Sequence, residues 1–354
     1  MTDAADRDRP PSRRSRLRDG PLVSISLVTY NGERWLDACL TSVARQTTRD
    51  FEMIVIDNAS TDRSAGIVDQ WTRRDDRMRL VRCKSNLGYA AGHNLGIAAA
   101  RGEYVCLLNQ DVVLDDRFLY EVVSAFSDPA VGAVQGKLYR LGPSLERTSV
   151  IDSTGLVIQR NRRITSRGQG QQDGMEFDAA GPVFGVDGAC PVYRALALED
   201  GRVPLSTGAW EILDEDFFMY KEDVDLAWRL HLLGWRTHYA PRARAWHARS
   251  AGESAASSVR QVIVHRRRIA SWIKATSWKN QRLMQVKNEV AGEFLRDAPL
   301  ILAKEVAAIG YLAAFSPRSL PVVATLIRQL PAAMRKRRHI QARRQVRGVS
   351  SWLR

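Results

Sequence analysis

Three stretches carry side chains of a type and spacing that can do chemistry. The first is Tyr104 to Asp116, YVCLLNQDVVLDD. Its apolar start is short enough for a strand buried on both faces, and it runs straight into Asn109, Gln110 and Asp111. In open α/β sheets the carboxyl ends of the strands are where ligands bind. Oxygen donors there suit a hydrated Mg²⁺ or Mn²⁺, and such a cation suits a diphosphate. Asp111 as a simple turn cap reads equally well from this tripeptide alone.

The second stretch is Asp214 to Arg229, DEDFFMYKEDVDLAWR. Asp214, Glu215, Asp216, Glu222, Asp223 and Asp225 crowd within twelve residues, with Lys221 the one basic residue among them. Acidic residues in a first helical turn are ordinarily explained by the helix dipole. Crowding on this scale raises carboxylate pKa values and suits one of the group to general-base work. The third is Trp246-His247, in a segment Pro241–Ser250 read as a loop. A single histidine is more often structural than a ligand. Between these lies Gly181 to Tyr193, read as a strand with glycines around Asp187. Glycines so placed let backbone approach a ligand, and a β-bulge has the same pattern.

The elements that position these groups follow from the hydrophobic pattern. Leu22–Thr29, Phe51–Ile56, Met78–Val81, Tyr104–Leu108 and Val131–Leu138 are β-branched and apolar runs. Helical spacing fills the gaps, as in Leu36, Leu40 and Val43, and again from Asn86 to Ala100. Strand–helix alternation predicts a mostly parallel α/β sheet with right-handed crossovers. Its first strands all end in polar residues: Thr29-Tyr30-Asn31, Asp57-Asn58 and Asn109-Gln110-Asp111. That clustering points to a nucleotide site. No Gly-x-Gly-x-x-Gly follows the first strand and no Walker-type lysine loop is present, so a dinucleotide cofactor is disfavoured. Residues 148–180 read as irregular hairpins with short β signals such as Leu156-Val157-Ile158.

The chain has 354 residues and a formal charge of +14. From Arg260 to Arg354 there are 20 Lys/Arg against 4 Asp/Glu, leaving 33 against 35 in the residues before. The basicity therefore belongs to the C-terminal part and not to the polar strand ends. Cys39, Cys83, Cys106 and Cys190 form no Cys-x-x-Cys pair, which argues against a zinc site or a disulfide framework and for a reducing compartment. The first 20 residues lack the apolar core of a signal peptide and read as a disordered lead. No apolar run is long enough to predict a membrane span.

Taken in order, TYNG, VIDNASTD, NLGYAAGHNLG, LLNQDV, GACPVYR, FFMYKEDVDLAWR and AWH resemble the inverting GT-A glycosyltransferases of family 2. The nearest likeness is to the rhamnosyltransferase-like branch of bacterial polysaccharide biosynthesis, over about Leu22 to Gln341. The resemblance implies a GT-A catalytic domain over 21–258, with a Rossmann-like nucleotide-sugar-binding sheet, and a basic helical extension over 259–354. It implies that Thr29, Tyr30 and Asn31 cradle the nucleoside and that Asp57 bonds the base. Asn86 and Asn94 then lie beside the base and diphosphate. Asn109-Gln110-Asp111 takes the place of the family's metal-binding Asp-x-Asp, with Asn109 the weaker donor and Asp111 the expected contact to Mg²⁺ or Mn²⁺. His247 becomes a further metal ligand, Asp223 the general base with Glu222 beside it, and Asp187 with Gly188 the acceptor side. The implied partners are a nucleotide-sugar donor, with dTDP-L-rhamnose foremost and UDP-galactofuranose or a UDP-hexose as alternatives, and a lipid-linked saccharide or glycan acceptor. A cytoplasmic, peripheral location on the inner face of the plasma membrane is expected. Leu300, Ile301, Val306 and Leu312 suit a surface-lying helix, and Arg335 to Arg338 with Arg343, Arg344 and Arg347 suit anionic lipid. Nucleic acid is not expected, because aromatic residues are sparse in the basic segment outside Trp272, Trp278 and Trp352. A catalytically inactive glycan-binding relative is the other reading of the same motifs.

Overall fold

The computed structural model describes residues 20–249, 270–315 and 317–354. All but the last residue of the N-terminal lead, and the boundary expected at 258/259, lie outside them. The chain begins with β1 (Val23–Thr29), α1 (Glu33–Ala44), β2 (Phe51–Asp57), α2 (Ser64–Thr72), β3 (Met78–Arg82), α3 (Gly88–Ala99) and β4 (Tyr104–Asn109). These are the alternating elements read from the sequence. Next come β5 (Val112–Leu114), α4 (Phe118–Ser124), β6 (Val131–Leu141), β7 (Arg147–Ser153) and a hairpin of β8 (Leu156–Ile158) and β9 (Ile164–Ser166). The central part closes with β10 (Gly181–Pro182), β11 (Val192–Arg194), α5 (Ala195–Asp200), β12 (Val203–Pro204), β13 (Trp210–Glu211), α6 (Glu222–Leu232) and β14 (Arg236–His247). Three further helices follow, α7 (Ser271–Asn288), α8 (Ala291–Phe315) and α9 (Val322–Ala342).

Ten strands form one sheet in the order β10-β14-β6-β11-β4-β1-β2-β3, with β5 joined to β14 and β7 to β6. The β4-β1-β2-β3 half is parallel, and β11 enters antiparallel between β4 and β6. The two-residue period of the strands sorts side chains onto two faces. Val23, Ile25 and Leu27 join Tyr104, Cys106 and Leu108 in a core closed by Leu36, Leu40 and Val43 of α1. Val105 and Leu107 point the other way, into a core with Ala90 and Ile97 of α3. Burial on both faces is why β4 reads as a continuous apolar run; on β1 the second face carries the buried serines Ser24 and Ser26.

Two expectations change. Gly181–Tyr193 is not one strand: β10 and β11 are its ends, and Asp187 to Ala189 turn between them, with Asn109 N–H donating to Ala189 O at 2.9 Å. The segment after Tyr239 is not a loop either. β14 continues to His247, with a register shift against β6 between Ala240 and Arg244. That irregularity accommodates Pro241, which has no N–H to give to a ladder.

The C-terminal helices α7 and α9 are built onto the part that carries the sheet. Leu283 and Met284 of α7 with Ala333 and Ile340 of α9 share one core with Phe217, Val224, Trp228 and Leu232. Charge joins them as well. Lys336 is 2% exposed and pairs with Glu211 (2.5 Å), Asp214 (2.6 Å) and Asp216 (3.1 Å). Lys287, fully buried, pairs with Asp214 and with Asp225 at 2.9 Å. The acidic crowd of the sequence is thus divided: Asp214, Asp216 and Asp225 are paired with two lysines that are remote in the chain.

Candidate active site

The parallel register places Thr29 opposite Asp57, and Asn109 opposite Val28 next to it, so the three polar strand ends share one edge. Gln110 closes over this edge. Its Oε1 accepts from Thr29 Oγ1 (2.6 Å) and from the Tyr30 N–H (3.0 Å), and its Nε2 donates to Tyr30 O (3.3 Å). Gly32 gives it room, since a Cβ there would lie 2.1 Å from Gln110 Oε1 and would push that amide off Thr29 and Tyr30. Asn31, at φ 49°, accepts from the Thr61 N–H (2.8 Å), and buried Asp57 accepts from the Ser60 N–H (3.2 Å). Tyr30 remains 44% exposed at the rim. Asn86 Oδ1 accepts from the Gly88 N–H (2.9 Å) at the start of α3. The Asn94 amide bonds to Leu213 and to Glu215 Oε1, which ties α3 to the acidic segment.

Asp111 and His247 are brought together by strand pairing. β5 runs antiparallel to the end of β14, with Val112 opposite His247, and the Ala248 N–H donates to Asp111 O (3.0 Å). His247 Nε2 then lies 3.4 Å from Asp111 Oδ1, and its Nδ1 lies 2.9 Å from Asp152 Oδ2. Burial opposes charge on the imidazole, but Asp111 and Asp152 outweigh it and push His247 up to about 10. Burial likewise works against ionised Asp152, yet His247 and Arg249 hold it down to about 2.

Asp152 also binds Arg249, whose Nε donates at 2.5 Å, and Arg249 Nη2 reaches Asp187 Oδ2 at 3.3 Å. Asp187 begins the turn that meets the second acidic group. The Gly188 N–H donates to Asp223 Oδ2 (3.0 Å), and Gly188 O accepts from Tyr89 OH (2.7 Å). A continuous line of charged and hydrogen-bonded groups therefore runs Asp111, His247, Asp152, Arg249, Asp187, Gly188, Asp223. Asp223 sits at the start of α6 after a turn in which Phe218, Tyr220 and Lys221 all have positive φ. For side chains with a Cβ that conformation is costly. Asn280 of α7 holds it, its Nδ2 donating to the carbonyls of Phe217 (3.0 Å), Met219 (2.9 Å) and Tyr220 (2.7 Å).

The two adjacent carboxyls differ. Burial and the Asp187 carboxylate raise Asp223 to about 6. Burial and Asp223 raise Glu222 to about 8, and Glu222 Oε2 has no hydrogen-bond partner among the described residues. Near pH 7 the pair shares its proton mainly on Glu222, which leaves Asp223 as the carboxylate.

A divalent cation fits the Asp111–His247 pair in donor chemistry. A histidine ligand needs its second ring nitrogen on a carboxylate or carbonyl, and Asp152 supplies it. Two octahedral Mg²⁺ ligands at about 2.1 Å stand about 3 Å apart, close to the observed 3.4 Å. Among the described residues no cluster of three or more His, Cys, Asp or Glu is arranged to hold a metal ion. The remaining ligands would then come from substrate phosphates and water, which is how Mg²⁺ commonly binds.

Asp152, Arg249, Tyr89, Asn280, Lys287 and Lys336 were not singled out as site residues by the sequence reading. Asp152 and Arg249 lie in polar stretches without a motif, and the two lysines stand among many basic residues.

Residues 24–187 match the family described as Glycosyl transferase family 2. A poly-beta-1,6-N-acetyl-D-glucosamine synthase of Staphylococcus epidermidis is 27% identical over 229 residues, covering 63% of this chain and 49% of its own length. The chain thus spans about half the length of the curated relatives it matches. Among solved structures, the mannosyltransferase PcManGT of Pyrobaculum calidifontis, in complex with GDP-Man and Mn²⁺, aligns with a TM-score of 0.50 at 18% identity, over 89% of this chain and 76% of its own. TarS 1-349 of S. aureus in complex with UDP aligns with a TM-score of 0.50 at 14% identity, over 90% of each chain. At these identities the likeness is one of fold.

Proposed function

For a chain that carries a family 2 glycosyltransferase domain on a GT-A fold with added C-terminal helices, we propose an inverting transferase. It moves a sugar from a nucleoside-diphosphate donor to a hydroxyl of a lipid-linked or polysaccharide acceptor. The observation that carries this reading is the line from Asp111 and His247 to Asp223 along one sheet edge. Thr29 to Asn31 and Asp57 hold the nucleoside, with Asn86 and Asn94 shaping the α3 side of its pocket. Asp111 and His247 hold Mg²⁺ or Mn²⁺, with Gln110 beside them and Asn109 as a lesser contributor. When bound, that cation neutralises charge on the leaving diphosphate. Asp187 and Gly188 line the acceptor side. Asp223 takes the proton of the acceptor hydroxyl as its oxygen attacks the anomeric carbon, and the sugar–phosphate bond breaks in the same displacement. A base with a pKa near 6 is ionised at neutral pH and still accepts a proton readily.

For the donor sugar, the relative's name supports N-acetylglucosamine, while the two neighbours of equal fold likeness, one with UDP and one with GDP-Man, do not choose a nucleotide. The support for dTDP-L-rhamnose is the motif resemblance alone. A lipid-linked acceptor would make an anionic, cytoplasmic membrane face the working surface. Calorimetric titration with UDP-N-acetylglucosamine, UDP-galactofuranose, GDP-mannose and dTDP-L-rhamnose, each with and without Mn²⁺, tests the reading. One donor should bind in a Mn²⁺-dependent manner, and Asp111→Ala should remove that dependence. Equal affinity in Asp111→Ala would overturn the metal assignment.

A further inference from the structure

α8 and α9 each present an apolar stripe that no described element covers. On α8, Leu295 (73% exposed), Leu302 (55%), Val306 (71%) and Ile309 (52%) face solvent. Their spacing of seven, four and three residues puts them within a narrow arc of one helix face. Of the residues expected there from the sequence, Leu300 and Val306 are exposed while Ile301 and Leu312 are buried. On α9, Val323, Ile327 and Met334 form a second exposed stripe, also at spacings of four and seven. The buried side of that helix is Ala333, Lys336 and Ile340.

Charge follows the second of these stripes. From Val306 to Arg354 there is no Asp or Glu, against ten Lys/Arg. Not all of these are available. Lys336 is buried among carboxylates, Arg343 is bound to Asp200, and Arg337 donates to the carbonyls of Val286 and Glu289. Arg328, Arg335 and Arg338 are exposed on α9 along one side of its apolar stripe, and Arg344 and Arg347 are exposed just beyond it. An apolar stripe edged by arginines without acidic neighbours has the composition of a helix lying in a lipid headgroup layer. A second copy is a poor occupant, because a two-fold contact through α9 would set Arg328, Arg335 and Arg338 against their own counterparts. No helix among the described residues is long and apolar enough to cross a bilayer.

We propose that the outer faces of α8 and α9 form a docking surface for an anionic lipid bilayer. Leu302, Val306, Ile309 and Ile327 enter the headgroup–acyl boundary, and Arg328, Arg335 and Arg338 pair with lipid phosphates and carboxylates. The surface deepens the reading of a lipid-linked acceptor by naming where the membrane lies, and its geometry does not depend on the transfer chemistry. Each arginine near an anionic surface contributes about fivefold in partitioning, from about 1 kcal/mol apiece.

Flotation of the full chain with phosphatidylcholine vesicles, with and without about one third phosphatidylserine, tests this. The wild type should float with the anionic vesicles and lose binding as salt is raised. Arg328→Gln/Arg335→Gln/Arg338→Gln should lower partitioning about a hundredfold. Leu302→Ser/Val306→Ser/Ile309→Ser, at exposed positions that leave the core intact, should abolish flotation while keeping the wild-type Tm. Wild-type protein that stays unbound with both vesicle types overturns the proposal. So does flotation unchanged by either triple variant, or self-association in sedimentation velocity that these substitutions remove in place of flotation. Donor-binding calorimetry on the same samples separates the two claims. Flotation without nucleotide-sugar binding leaves the surface standing and removes the transferase reading, and the converse removes the surface alone.

Discussion

Replacing Lys336 with Met tests whether the C-terminal helices are structural parts of the site. The ammonium is 2% exposed and touches Glu211 at 2.5 Å, Asp214 at 2.6 Å and Asp216 at 3.1 Å. Methionine keeps most of the apolar stem, so the loss is chiefly that of charge. Removing one partner of a buried ion pair costs about 3–5 kcal/mol. Asp214 retains Lys287, and the Asp216 side chain is 31% exposed, which screens it. Glu211 therefore bears most of the loss, and the low end, about 3 kcal/mol, is expected. At a urea dependence of about 3 kcal/mol per molar, the unfolding midpoint should fall by about 1 M. Glu211 also sets the pH dependence. Burial and Asp214 raise its pKa to about 7, so the folded state holds an extra proton between about pH 4.5 and 7, and stability falls as pH rises through that window. Without Lys336 its pKa rises further and the carboxyl protonates more readily, so the deficit of Lys336→Met should be smaller at pH 5.5 than at pH 8. Glu211→Gln in the Lys336→Met background should recover part of the loss. A midpoint shift below about 0.3 M at pH 8, or a deficit that does not change with pH, would refute this account of the lysine.

Asp152→Asn should weaken Mn²⁺ binding about 10–100-fold, read by electron paramagnetic resonance of free Mn²⁺, because the His247 ring loses the carboxylate that orients it; unchanged affinity would detach Asp152 from the metal side. Glu222→Gln should match the wild-type Tm near pH 4.5, gain on it as pH rises, and hold its full advantage above about pH 8. The wild type there carries a buried charge it avoided at lower pH, since the folded pKa of about 8 lies above the unfolded value and stability declines as pH rises between the two. A wild-type advantage at high pH would contradict this. In Gly188→Ala the new Cβ would lie 3.3 Å from Asp223 Oδ2 and 3.4 Å from its Cγ. Displacing the base by a few tenths of an ångström should lower kcat about tenfold with little change in donor KM.

What the sequence made legible follows from burial. β4 is covered on both faces and is a continuous apolar run up to Asn109, whereas β1 carries buried Ser24 and Ser26 and β2 buried Glu52. Even so, their β-branched and apolar majority makes all three stand out, as do their polar ends and the acidic start of α6. The meeting of His247 with Asp111 is implied by the motif resemblance alone and is not visible in periodicity or spacing, because it depends on pairing β14 with a three-residue strand and on β14 passing through a proline. The length of β14 was lost for the same reason: Pro241 reads as a stop, yet a register shift carries the strand past it. The acidic crowd misled in a different way. Local spacing suggested mutual repulsion, whereas Lys287 and Lys336 reach Asp214 from helices far along the chain and lower its pKa against the cost of burial. Glu222 and Asp223 keep the raised values the crowding implied. In α8 the amphipathic face was misjudged because Ile301 packs inward while Leu302 faces out, a one-residue difference that composition does not reveal.

The central claim is that Asp223 is the base of a single displacement. Its most direct test is the single-turnover rate of Asp223→Asn with a saturating donor and Mn²⁺. The amide keeps the shape and can still accept from the Gly188 N–H, but it cannot take a proton. A loss of about 10²–10⁴-fold in transfer, with donor affinity unchanged by calorimetry, is the predicted result. Transfer within tenfold of the wild type would contradict the assignment.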